Sequence, residues 1–286
     1  MEKAREMSAL LYQINLIDFA DFTDLKSIGK GRIHKAKWND CKTMVALKSF
    51  QEKSDQEKSD QEKSDQEKSD EFLKELKAFT KICCHPNIIE FYGITKDSHD
   101  QPFFIFEYAN NGTLREYLAK NYSELSWNDK SRIALEISDG LRFMHRNNII
   151  HRDLHIKNVL IHDGTPKIAN FGPSLSSDSI AYMDPEYFLN DQYKRTMKSD
   201  VYSFGVMLWE ISSGKEPFKN LESQEVRSHI LKGEREIPVE GTPPEYIELY
   251  KRCWSENPTN RPDTKVIHEF LETIFGEIED QIPTTP

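Results

Sequence analysis

The sequence predicts an α+β fold in two lobes, a small strand-rich lobe with one main helix followed by a larger, mostly helical lobe. Three observations carry this. Over residues 22–50 apolar residues alternate with polar ones between glycine breaks, and 103–108 read as a further strand. From Leu114 onward apolar residues recur every three or four residues, the helical period. Between the two regimes, Asn110-Asn111-Gly112 breaks the chain, placing the boundary near residues 109–113.

In chain order, residues 1–21 read as an N-terminal extension. The alternation over 22–50 contains one clear strand, Val45-Ala46-Leu47-Lys48-Ser49-Phe50. Residues 51–70 are four perfect copies of Gln-Glu-Lys-Ser-Asp. A period of five keeps no face turned to a core, and the composition cannot repay ordering entropy. The block is expected to be a solvated insertion, disordered or at most a helical extension of the segment after it; a phosphorylation comb on Ser54, Ser59, Ser64 and Ser69 is the functional alternative. Residues 71–82 carry a helical stripe of Phe72, Leu76, Phe79 and Ile82, and 103–108 read as a strand. Helical patterns occupy 113–120, 127–146, 197–213, 222–232, 244–254 and 263–275. Residues 276–286 form a polar tail, frayed from about 281.

The chain has 286 residues, 37% of them hydrophobic, enough to bury a sizeable core in one large or two medium domains. A net charge of −10 argues against nucleic acid or an anionic membrane as the main partner. Cys41, Cys83, Cys84 and Cys253 show no paired metal spacing and read as free thiols in a reducing compartment. No run approaches the roughly 18 apolar residues of a membrane span, and the short apolar run over 9–12 makes a poor signal peptide. A cytoplasmic protein is therefore expected.

The most informative stretch is His151-Arg152-Asp153-Leu154-His155-Ile156-Lys157-Asn158. It sets an Asp and an Asn five residues apart in one polar loop. That spacing suits an Asp that accepts a hydroxyl proton beside an Asn that holds a metal on nucleotide phosphates. The stretch resembles the H-R-D-L-x-x-x-N catalytic loop of protein kinases. Further motifs stand in the order that family uses. Val45-Ala46-Leu47-Lys48 is similar to its V-A-I-K, and His85-Pro86-Asn87-Ile88 to its H-P-N-I. Ser199-Asp200-Val201-Tyr202-Ser203-Phe204-Gly205 and the run from Cys253-Trp254 to Arg261-Pro262 point to the tyrosine-kinase-like branch. The resemblance covers about residues 22–275, with the small lobe about 22–109 and the large lobe about 110–275.

The resemblance implies a two-lobed protein kinase fold using ATP and Mg²⁺, with Mn²⁺ as a substitute, and acting on a protein substrate or serving a signalling partner. It implies that Lys48 holds the α- and β-phosphates and pairs with Glu75. Glu75 lies 27 positions after Lys48; removing two or three repeat copies leaves 17 or 12, so the repeat reads as an insertion between them. Gly29, Gly31 and Ile33 would cover the nucleotide, and Ala46 and Leu160 would enclose the base. Phe106 would close the adenine pocket, and the backbone of Glu107 and Ala109 would bond its edge. Asp153 would orient or deprotonate the acceptor hydroxyl, Lys157 would reach the γ-phosphate, and Asn158 and Asn170 would bind metal. Glu186 and Arg261 would form the buried ion pair of the large lobe. Phe79, Phe91, His151, Phe171 and Asp200 would build its regulatory spine. Lys157 sits where tyrosine kinases often carry Arg, whereas Ser179 sits where Ser/Thr kinases often keep Thr, so both acceptor classes stay open. Oligomeric state is not readable.

Three departures cluster at the phosphate end. The glycine loop, Gly29 to Trp38, reaches its Trp three residues early and lacks the third glycine. Asn170-Phe171-Gly172 replaces Asp-Phe-Gly, exchanging a charged oxygen for a neutral one where Mg²⁺ prefers charge. A loss of about 3–4 kcal/mol of charge stabilisation would slow transfer by on the order of 10²–10³. Asn170 to Glu186 is also a short activation segment, with Ser174, Ser176, Ser177 and Ser179 available for modification. Two functions fit: a protein kinase of reduced activity, or a pseudokinase acting as a nucleotide-binding switch or scaffold.

Overall fold

Five antiparallel strands build the small unit: β1 (Phe22–Ile28), β2 (Ile33–Trp38), β3 (Thr43–Ser49), β4 (Phe91–Lys96) and β5 (Pro102–Glu107), in the order β1-β2-β3-β5-β4. The computed structural model describes residues 14–28, 32–50, 65–82, 84–171, 177–190 and 192–280. Gly29, Gly31, Cys83, Gly172, Ser174, Ser176, residues 1–13, repeat residues 51–64 and the end of the tail lie outside the described residues. The chain divides into two units, Asn110 onward with Pro86–Ile88 forming the second.

Alternation sorts the sheet's side chains. Val45 and Leu47 of β3 and Phe103 and Ile105 of β5 bury one face with Phe22 and Ala36, and Ile17, Phe19, Trp38 and Tyr92 pack around them. The other face holds Ala46, Lys48, Phe104 and Phe106, since Ala46 pairs with Phe106 and Lys48 with Phe104 across β3 and β5. Helix α1 (Asp65–Ile82) packs on that face. Phe72 stacks on Phe104 at 5.1 Å, and Phe79 meets Phe104 and Phe106 edge-on, each at 5.0 Å. The predicted stripe is thus the buried one: Leu76, Phe79 and Ile82 are inaccessible. The helix begins inside the repeat, so the last copy is its extension.

In the large unit α2 (Leu114–Asn121), α3 (Trp127–Arg146), α5 (Met197–Ser213), α6 (Ser223–Leu231) and α7 (Pro244–Cys253) match the predicted ranges within a residue, whereas α8 (Thr264–Asp280) runs five residues past its predicted end at 275, into the segment read as a polar tail. Capping boxes start four of them, Thr113 with Glu116 at α2, Ser126 with Asp129 at α3, Thr196 with Ser199 at α5 and Glu222 with Glu225 at α6. Helix α5 is buried on all sides, as its apolar sequence requires, and ends on Gly214 at φ +64°. Gly205 lets it approach α7: a Cβ there would stand 2.8 Å from Cys253 Cβ.

Several elements went unpredicted. Strand β4 is broken by a register shift between Phe91 and Gly93, which hides its alternation. The hairpin β6 (Val159–His162) and β7 (Thr165–Ile168) turns through Asp163-Gly164, both at positive φ. A short helix, α4 (Pro185–Leu189), comes directly after Asp184.

Candidate active site

The small unit places its candidate residues on one sheet face and on α1. Ile33 pairs directly with Lys48 across β2 and β3. Lys48 is half-buried, and burial of its ammonium pushes the pKa down, further than the negative charge of Glu75 pulls it up. Glu75, on α1, moves the other way: burial raises its carboxyl, outweighing the Lys48 charge. The two charges thus act on each other within the small unit. Phe106 is buried at the end of β5 against Phe79 and Phe91, at 5.0 and 5.5 Å. The Glu107 N–H donates to Glu90 O at 2.9 Å, so Glu107 can meet a base only through its carbonyl. Ala109 ends this unit.

The large unit assembles the rest. Asp200, on α5, organises the catalytic loop: its carboxylate accepts from the backbone N–H of His151 (2.8 Å) and Arg152 (2.9 Å) and pairs with His145 Nε2 at 2.9 Å. These bonds hold Arg152 at φ +72°, a conformation that costs a non-glycine residue about 1–2 kcal/mol. Arg195 Nη1 donates to the Arg152 carbonyl. His151 is inaccessible; Nε2 donates to Ala169 O (3.0 Å) and Nδ1 accepts from Asp153 N (3.3 Å), so the ring is neutral, and burial lowers its pKa accordingly. The ring lies 6.3 Å from Phe171. The spine residues therefore meet within each unit, Phe79 with Phe91 at 5.4 Å in the small one and His151 with Phe171 in the large one.

Asp153 is buried, and burial would raise its pKa. The hydrogen bond and charge of His155 and the hydrogen bond from the Ser179 hydroxyl outweigh that and leave it low. Asp153 is therefore a carboxylate at neutral pH. His155 Nε2 stands 3.5 Å from Oδ2, while Oδ1 has no hydrogen-bond partner of ordinary geometry among the described residues. Asn158 Nδ2 donates to Asp153 O at 2.7 Å, which points Asn158 Oδ1 the other way. That oxygen accepts from Asn170 Nδ2 at 3.1 Å. Asn170 sits at φ +57°, where Asn is among the residues that tolerate the left-handed region. Lys157 is half-buried beside the loop, its N–H bonded to His155 Nδ1 at 3.2 Å. Leu160 lies on β6 opposite Thr113.

One expected pairing is corrected. Arg261 binds Asp184, not Glu186. Asp184 caps α4 and turns its carboxylate inward, whereas Glu186 lies further along the helix at the surface side. Sequence reasoning also passed over His155 and Tyr182. Tyr182 packs on the His155 ring at 5.8 Å, and its hydroxyl joins Arg115 and Glu210. An imidazole two residues after Asp153 was the available signal for His155; nothing local marked Tyr182.

The donor set for a divalent ion is thin. Among the described residues no three His, Cys, Asp or Glu side chains gather as a metal cluster. Asn158 Oδ1 and, after a half-turn of its amide, Asn170 supply two neutral oxygens in contact. Such a pair fits an ion held mainly by phosphate oxygens, not one held by protein alone.

Comparison with known proteins settles the family. The family described as protein tyrosine and serine/threonine kinase matches residues 23–271. The chain belongs to the protein kinase family. This kinase domain is 36% identical over 201 residues to a probable LIM domain-containing serine/threonine-protein kinase of Dictyostelium discoideum, covering 66% of the chain and 31% of that protein. It is 34% identical over 231 residues to the serine/threonine/tyrosine-protein kinase HT1 of Arabidopsis thaliana, covering 75% and 57%. It is 31% identical over 270 residues to the tyrosine-protein kinase transforming protein Abl of Abelson murine leukemia virus, covering 88% and 34%. The chain thus spans between about a third and somewhat over half the length of these relatives.

Proposed function

We propose that the chain is an ATP-dependent protein kinase of reduced activity, transferring the γ-phosphate to a Ser or Thr hydroxyl, with Tyr as the other acceptor class, in cytoplasmic signalling. The kinase domain is taken as residues 22–275. The observation that carries the reading is Asp153: ionised, buried, held by the loop's own bonds, and with one carboxylate oxygen unpartnered among the described residues. Such an oxygen suits a hydroxyl donor. The acceptor oxygen bonds the γ-phosphorus as its bond to the β–γ bridging oxygen breaks. ADP leaves, and the hydroxyl proton passes to Asp153. Lys48 and Lys157 would bind and orient the phosphates, with Gly29, Gly31 and Ile33 covering them. Ala46, Phe106, the Glu107 carbonyl, Ala109 and Leu160 would seat the base. Asn158 and Asn170 would hold Mg²⁺ or Mn²⁺, which supplies charge neutralisation on the phosphates.

The test is γ-phosphate transfer by the purified chain with Mg²⁺ and with Mn²⁺, against Asp153→Ala. Transfer lost in the variant supports the reading. A second reading is favoured by the neutral Asn158–Asn170 pair: a pseudokinase that binds nucleotide without transfer. An ATP-induced rise in melting temperature without any transfer would select it.

A further inference from the structure

The ion pair of Arg261 with Asp184 leaves Glu186 without a cation. Among the described residues its carboxylate has no ion pair or side-chain hydrogen bond, and it lines a groove of about 400 Å³ with Pro185, Leu189, Ile230, Leu231 and Glu256. That volume lies within the usual range of ligand clefts. Leu189 is 68% exposed and Leu231 39%. Single exposed leucines need no explanation, but here two line one cleft with two carboxylates. The Glu256 carboxylate is seated over Gly233, at φ +79°, where any Cβ would collide with it. Among the described residues no Lys or Arg lines the groove. Two arginines stand at its margins: Arg227 lies over the Phe188 ring at 5.3 Å and donates to Phe188 O, and Arg235 lies over Tyr202 at 5.4 Å and donates to the carbonyls of Ile230 and Glu234.

We propose that this groove docks a segment of a protein partner in which a bulky apolar residue is flanked by Lys or Arg. The apolar side chain enters between Leu189, Ile230 and Leu231, and its basic neighbours meet Glu186 and Glu256. Charge complementarity makes the choice of occupant: two uncompensated carboxylates on a chain of net charge −10 repel acidic peptides, nucleic acid and anionic membranes. The groove is built wholly from the large unit, so docking does not depend on catalysis.

The test uses the full chain and a fluorescein-labelled peptide, Gly-Ser-Arg-Arg-Leu-Arg-Arg-Ser-Gly, read by anisotropy at low and high salt. Companion peptides replace the leucine by serine or the arginines by glutamate. The expected result is salt-sensitive binding of the first peptide, weaker binding of the serine form and none of the glutamate form. Glu186→Gln with Glu256→Gln should weaken binding by on the order of tenfold and flatten its salt dependence. Leu189→Ser with Leu231→Ser should weaken it comparably, while both variants keep the parent's melting temperature within a few degrees. Binding that the variants leave unchanged, or that ignores the leucine, is general attraction to an acidic surface and overturns the proposal. No phosphate transfer is measured, so failure here is separate from failure of the kinase reading.

Discussion

The guanidinium of Arg261 closes a bidentate ion pair on Asp184, Nη1 on Oδ2 at 2.7 Å and Nη2 on Oδ1 at 2.8 Å, with both side chains inaccessible. The remaining donors of Arg261 are satisfied by the carbonyls of Ser255, Lys198 and Glu256. One side chain therefore ties the end of the activation segment to α5 and to the loop after α7. Removing one partner of such a pair strands a buried charge, which costs about 3–5 kcal/mol. Asp184→Ala should lose stability on that scale in urea unfolding, whereas Glu186→Ala should change it by less than about 0.5 kcal/mol. Equal effects would mean that Glu186 shares the pair.

Asp184 also sets an acid limit. Burial would raise its carboxyl, but the bonds and charge of Arg261 hold it below the ordinary value of 3.8. A carboxyl depressed in the folded state contributes stability above its unfolded pKa, and that stability is lost as pH falls through the folded one. The loss of stability below about pH 3.8 should therefore be shallower in Asp184→Ala, measured by urea midpoints down the acid range.

Glu210 behaves in the opposite sense. Burial raises its carboxyl from 4.5 to about 7, against the lowering effects of Arg115 and Tyr182 and with the help of Glu216. A carboxyl raised in the folded state binds its proton more tightly there. Its contribution is complete below the unfolded pKa and is lost as pH rises through the folded one. Relative to Glu210→Gln, the parent should lose on the order of 2–3 kcal/mol between about pH 4.5 and pH 7. Melting curves for the two proteins that stay parallel across that range would show that Glu210 titrates normally.

The repeat offers a test of what α1 needs. Five residues advance an α-helix by roughly 140° beyond full turns, so copies of Gln-Glu-Lys-Ser-Asp can extend a helix but cannot keep one face inward. The packed residues, Phe72, Leu76, Phe79 and Ile82, all lie beyond the repeat. Deleting residues 51–65 should leave the melting temperature within a degree or two, since loop length costs only about 0.6 kcal/mol per doubling. A drop of ten degrees or so would mean that the deleted copies pack on the fold.

The elements legible in the sequence were those whose signal is local. The Phe72–Ile82 stripe and the apolar periods over 113–120 and 127–146 each lie within a few turns of chain, and α1, α2 and α3 formed where they pointed. Strand β4 was illegible because its register shift at Gly93 interrupts the alternation, and the β6–β7 hairpin because its strands are four residues each, although Asp163-Gly164 marked the turn. The candidate site divided the same way. Asp153 and Asn158 could be placed by spacing, because a single loop holds both. The partner of Arg261 could not: Asp184 and Glu186 are both acidic and both near, and the choice depends on which carboxylate the α4 cap turns inward. Ser179 on Asp153 and Tyr182 on Glu210 are pairings across 26 and 28 residues, set by packing alone.

Asn170 is the expected limit on catalysis. It stands beside Asn158, donating to its amide oxygen at 3.1 Å, so the two candidate metal ligands bring no charge between them. The backbone there already suits an aspartate, because φ +57° is open to Asn and Asp alike. Asn170→Asp changes one atom type and restores a carboxylate without new bulk. Turnover should rise by a factor on the order of 10² or more, through stronger charge neutralisation in the transition state. Asp153→Ala in the same background should abolish the gain, since the acceptor hydroxyl then loses the carboxylate that positions it. The measurement is kcat under saturating ATP with Mg²⁺, alongside ATP affinity by thermal shift. A variant that binds Mg·ATP normally yet stays as slow as the parent would shift the fault to the shortened glycine loop or the short activation segment. The nucleotide-switch reading would then account better for a chain that keeps Lys48, Glu75, Asp153 and Asn158.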